Sequence, residues 1–135
     1  MSVLYPMALM AIFTILYSPF LVIGRFRSVR LGDVAPHYYK TLDGDTPPDY
    51  VKKPTRHWSN LYEVPVLFYA VCLAILVRGQ EDNLFIYMAW AFLCLRLLQA
   101  LIHTTYNNVY HRLITFASGM AVVLAMWIRL LLMNL

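Results

Sequence analysis

Residues 3–23 form an apolar run without a single charged side chain. At 1.5 Å of rise per residue, about 20 such residues in a helix cross the roughly 30 Å hydrocarbon core of a bilayer. The run therefore predicts a membrane-spanning helix, and three further runs, at about 58–77, 84–102 and 113–133, have the same length and character. Composition agrees: 61% of the 135 residues are hydrophobic and 13% charged, where soluble domains sit near one half and one quarter. The expected fold is all-α, an integral membrane four-helix transmembrane bundle in one domain over 1–135, its core built between helices in lipid. The apolar beginning lacks a basic leading region and a small-residue cleavage site, so it reads as a retained helix and not as a signal peptide.

The stretch 24–57 carries Arg25, Arg27, Arg30, Lys40, Lys52, Lys53 and Arg56 together with Pro36, Pro47, Pro48 and Pro54. It reads as a polar loop with a tendency to disorder. Four alternating spans place this loop and the 107–112 turn, with Arg112, on one side of the membrane, against only Arg78 and Arg129 on the other. The excess of positive charge predicts that both loops are cytoplasmic and both termini extracytoplasmic. Basic residues set between apolar runs face anionic lipid, so the expected partner is the bilayer and not a nucleic acid. The short polar turn 78–83 predicts that the second and third helices lie side by side and antiparallel. Ala117, Ala121 and Ala125 recur every four residues on the fourth span, a stripe that either admits a close helix neighbour or serves as filler. Cys72 and Cys94 both fall inside apolar runs and read as packing residues.

Asn60, Glu63 and Arg96 are the polar residues most out of place. A charge at mid-span costs at least about 2.5 kcal/mol on insertion scales and normally faces the bundle interior. Counted from the expected span ends, Glu63 lies roughly 7.5 Å deep and Arg96 roughly 10 Å deep from the same side. An acid and a base at one depth on neighbouring helices can neutralise each other. Pro65 lacks an N–H and leaves the Leu61 carbonyl without its usual donor, which predicts a kink beside Asn60 and Glu63. Arg56, His57, His103, Tyr106, Tyr110, His111 and Arg112 form a basic, aromatic rim, readable either as a lining for an anionic ligand or as an interfacial belt. His103 and His111 stand about 12 Å apart along a helix, too far to chelate one ion, and no metal site is expected. No hydrolase, metalloprotease or phosphate-loop motif is present.

The segment Arg56-His57-Trp58-Ser59-Asn60-Leu61-Tyr62-Glu63 reads R-x-x-x-N-x-x-E at the start of the second span. With four spans, a basic first loop, Arg96 inside helix three and Arg112 opening helix four, the chain resembles the MAPEG superfamily, the membrane-associated proteins of eicosanoid and glutathione metabolism, in a bacterial-type member. The resemblance implies a homotrimer in the bacterial inner membrane, with glutathione as co-substrate held between subunits and a lipophilic small molecule as second substrate. It implies that Arg56, Asn60, Glu63 and Arg96 bind the tripeptide and that Arg112, sixteen residues after Arg96, stabilises the thiolate. His103 falls where relatives carry an aromatic or histidine ligand contact. The pattern departs from better-known members at Gln99 and at Leu113, and one of Arg25, Arg27 and Arg30 joins the site. The expected function is a membrane-bound glutathione-dependent transferase or peroxidase acting on lipophilic electrophiles. The alternative is a non-catalytic trimer of the same fold whose polar network is structural. A transporter subunit is a weaker third reading, because intramembrane charge can mark an ion path but no inverted repeat accompanies it.

Overall fold

In a computed structural model, which describes residues 1–44, 46–106 and 108–135, the described residues form helices and no strands. Asn107, where the expected turn into the fourth span starts, lies outside them. The elements are α1 Leu4–Arg30, α2 Tyr38–Thr41, α3 Asp49–Leu61, α4 Val64–Arg78, α5 Asn83–Thr104 and α6 Val109–Leu132. Taken together as Asp49–Arg78, α3 and α4 make one interrupted crossing, so four helices are long and apolar enough to span a membrane.

The 27 residues of α1 extend for about 40 Å, beyond the roughly 30 Å core, so its last turns, with Arg25, Arg27 and Arg30, stand at or past the lipid boundary. Pro6, Met10, Thr14, Tyr17 and Leu21 form its buried stripe at the three- and four-residue spacing of one helix face. The stretch 24–57 is more helical than the sequence predicts. Its prolines and lysines read as loop, yet α1 runs on to Arg30 and α3 begins at Asp49. Pro54 is accommodated inside α3 at the loss of a single backbone bond, that of the Tyr50 carbonyl.

At Pro65 the predicted kink is a full interruption. Helix α3 ends at Leu61, Tyr62 N–H turns back to the Ser59 carbonyl at 3.0 Å, and Glu63 takes φ −90°, ψ −85°. Helix α4 then restarts at Val64 with Pro65 in its first turn, where a missing N–H costs nothing. Gly79 ends α4 at φ 62°, a left-handed conformation that glycine adopts without strain, and the following Gln80 N–H closes on the Ile75 carbonyl at 3.1 Å.

The core is apolar and aromatic, with Met10, Phe68, Val71, Cys72, Ile75, Phe85, Ala89, Phe92 and Met126 fully enclosed. Cys94 is exposed, and neither cysteine is bonded to another. Helix α5 packs on α1, α3 and α6, whereas α4 lies closest to α1 and α6. The side-by-side arrangement expected of helices two and three holds for the α3 half. In the α4 half the stacked rings of Phe68 and Phe92, 4.3 Å between centroids, bridge the two helices and hold their backbones apart.

At the end away from α2, the α4–α5 turn is tied to both termini. The Glu81 carboxylate accepts from Val3 N–H, Asp82 pairs with Arg129, and Gln80 Nε2 donates to Asn134 Oδ1 at 3.0 Å. Asp82 also caps α5, accepting from Phe85 N–H at 2.8 Å. That backbone bond, and the Arg129 guanidinium beside it, hold the Asp82 carboxyl below its ordinary value of 3.8. A depressed folded-state value means that the stabilisation is complete above pH 3.8 and lost as the pH falls through the lower folded-state value. Asp82→Ala is therefore expected to cost about 1 kcal/mol at neutral pH in a thermal or denaturant melt, and Asp82→Asn, which keeps the cap, less. Equal losses for the two variants would show that the charge, and not the cap, matters.

Candidate functional site

One face of α5 carries Phe92, Arg96, Gln99 and His103, spaced by four, three and four residues and all buried. Arg96 is 2% exposed. Its Nη1 donates to Gln99 Oε1 at 2.6 Å, and its guanidinium carbon lies 5.0 Å from the Phe92 ring centroid and 5.3 Å from that of Phe116 on α6. Its Nε and Nη2 have no hydrogen-bond acceptor. Gly119 lets the α6 backbone come close, since a Cβ there would stand 3.5 Å from Nη2. Two aromatic faces and one amide oxygen offset only part of the cost of burying a cation.

The expected partner of Arg96 is not there. Among the described residues the only ion pair within 4 Å is Arg129–Asp82, and Glu63 is exposed. Matching depths did not suffice because the α3–α4 interruption falls at Glu63 itself and turns its side chain outward. Gln99, three residues on from Arg96 and hence on the same helix face, is the acceptor that the depth argument passed over.

Asn60 from α3, Gln99 from α5, and Val109, Arg112, Leu113 and Phe116 from α6 line a cleft of about 240 Å³. Arg96 lies directly behind its Gln99 and Phe116 wall. Arg112 occupies the first turn of α6, a helix whose Asn108 cap accepts from Tyr110 N–H at 2.9 Å. A cation near a helix N-terminus gains nothing from the helix dipole; cation and dipole together favour an anion in the cleft. Donors thus converge from three helices on a half-open space.

Arg56 lies elsewhere. It is exposed and lines a second cavity, of about 250 Å³, with Arg25, Tyr39 and Lys52. This distinguishes the three arginines at the end of α1: Arg25 shares that cavity, Arg27 stacks on Tyr50 with its guanidinium carbon 5.5 Å from the ring centroid, and Arg30 is exposed. The structure thus brings Asn60 and Arg112 together, puts Arg96 immediately behind them, and leaves Arg56 and Glu63 outside the cleft.

The expected rim also divides. Tyr106, Tyr110 and His111 are exposed, with Tyr106 Oη and His111 Nδ1 2.8 Å apart. His57 and His103 are each 1% exposed, with rings 5.1 Å apart, and His103 Nε2 lies 2.9 Å from the Lys53 carbonyl. Because α3 begins at Asp49, His57 is a mid-helix residue facing α1, against the Tyr17 ring at 4.8 Å, and not a residue at a span mouth. His103 packs behind the cleft without lining it.

Comparison with known protein families matches residues 3–132 to the MAPEG family. No curated protein and no solved structure matches the chain.

Proposed function

The chain belongs to the MAPEG family over nearly its whole length, and from that membership we propose that it is a membrane-bound glutathione-dependent transferase or peroxidase acting on lipophilic electrophiles. The observation that carries this reading is the cleft in which Asn60, Gln99 and Arg112 converge in front of buried Arg96. Its chemistry fits glutathione, a thiol tripeptide with two carboxylates. Amide groups of Asn60 and Gln99 suit the peptide, and unsatisfied guanidinium donors on Arg96 suit an anion. A free thiol near pKa 8.5 is only a few per cent ionised at neutral pH. Arg112, cationic at any accessible pH, favours the thiolate, and each unit by which it lowers the thiol pKa corresponds to about 1.4 kcal/mol. With an aryl chloride, the thiolate sulfur bonds to the ring carbon, chloride leaves with the bonding electron pair, and the thiol proton passes to water. The electrophile reaches the cleft from lipid and glutathione from water.

Arg56 and Glu63 belong to this reading through the family motif. Because they point away from the cleft, the complete site requires a second copy of the chain, and we assign the protein as a homotrimer. Ala117, Ala121 and Ala125, all exposed on α6, offer a face on which another helix can approach closely. The purified protein should conjugate a chloronitrobenzene-type electrophile in a glutathione-dependent reaction; no turnover with any such electrophile would remove the enzyme reading. A second reading, a non-catalytic trimer, is favoured by Arg96 being fully enclosed and already bonded to Gln99, as a structural residue would be.

The basic excess at the α1–α3 end supports a cytoplasmic location for that end, with both termini outside, as in a bacterial inner membrane. Asp43→Cys should then react with a membrane-impermeant maleimide only after cells are opened, and labelling of intact cells would reverse the orientation.

A further inference from the structure

The cavity beside Arg25 is separate from the proposed glutathione cleft and has a different character. Arg25, Lys52 and Arg56 surround it, and none of its described lining residues is acidic. Tyr39 fixes one wall: its hydroxyl lies 2.6 Å from Ser28 Oγ, and the Arg25 guanidinium carbon sits 5.5 Å from its ring centroid. The buried Nε of Arg25 has no hydrogen-bond acceptor. Arg25 and Tyr39 also border an apolar groove of about 300 Å³ formed by Val22, Phe26 and Val29 on the outer side of α1. Phe26 is 73% exposed there. The charge-free run of α1 ends at Ile23, so the cavity stands at the level of lipid headgroups and the groove runs down beside the acyl chains.

We propose that this paired cavity and groove is a binding site for an anionic glycerophospholipid, its phosphate held by Arg25 and Lys52 and one acyl chain lying along Val22, Phe26 and Val29. Three cations without a neighbouring acid call for an anion, and the shared Arg25–Tyr39 wall joins the anion site to an apolar slot. A free anion needs no such slot. A neutral lipid needs no such cations.

The test follows melting of lipid-depleted protein in a neutral detergent, without glutathione, so that its outcome is independent of the catalytic reading. Phosphatidylglycerol should raise the melting temperature at concentrations where phosphatidylcholine and inorganic phosphate do not. Arg25→Gln and Lys52→Gln should each raise the phosphatidylglycerol concentration required by about fivefold, while Arg30→Gln, an exposed cation nearby, should leave it unchanged. Should Arg25→Gln fail to fold, Lys52→Gln decides. An equal response to phosphatidylcholine, a full response to inorganic phosphate, or the same weakening by Arg30→Gln would each overturn the proposal.

Discussion

Arg112→Ala is expected to lower glutathione conjugation by a factor on the order of 10²–10³ while leaving the melting temperature within a few degrees of the native protein. The factor is that seen when one preorganised donor to a developing or stabilised anion is removed from a site partly screened from water. Little loss of fold is expected because Arg112 is only half-buried, in the first turn of α6 at the mouth of the cleft. That turn keeps its Asn108 cap in the variant. Arg112→Lys should retain part of the activity, since an ammonium keeps the charge but loses the planar fork. Steady-state rates with a chloronitrobenzene, paired with thermal melts of the same preparations, measure both effects. A variant that loses stability and activity in step would make Arg112 a structural residue.

Arg96→Ala should behave in the opposite way and cost about 2–5 kcal/mol of stability, as for other large-to-small changes in a packed interior. The side chain fills the space between Phe92, Phe116 and Gly119, and its loss also strands the Gln99 carbonyl oxygen. Because no carboxylate pairs with the guanidinium, Arg96→Met with Gln99→Leu should recover most of that stability, and can exceed the native value. Replacing an unpaired buried charge by an apolar side chain of similar volume removes a desolvation cost. The double variant should nonetheless fail to bind glutathione. If it folds and still conjugates at the native rate, Arg96 has no part in the reaction.

The four crossings were legible because length and charge-free composition alone determine what a bilayer accepts, and residues 3–23 leave no alternative. The helix break at Pro65 was legible from backbone chemistry. Three features were not, each for a physical reason. Lys52, Lys53 and Pro54 obscured the first turns of α3, since polar residues and one proline are tolerated where a helix leaves the membrane. Glu63 and Arg96 share a depth, but depth is one coordinate, and the rotation lost at the Tyr62–Glu63 break decided that they do not meet. His57 and His103 looked like rim residues, although their positions on α3 and α5 face the bundle interior. Of the cleft, Asn60 and Arg112 were legible from the motif and helix order. Gln99 was visible only as a departure from the family pattern, although its spacing from Arg96 already put it on the same helix face.

Ultraviolet difference absorbance of the purified protein with glutathione measures the stabilised thiolate directly. Native protein should show thiolate absorbance that titrates well below the free-thiol value of about 8.5, saturates with glutathione and accompanies a rise in melting temperature. The absorbance should vanish in Arg112→Ala. Native protein that shows neither the absorbance nor the melting shift at saturating glutathione would contradict the account and leave the non-catalytic trimer in its place.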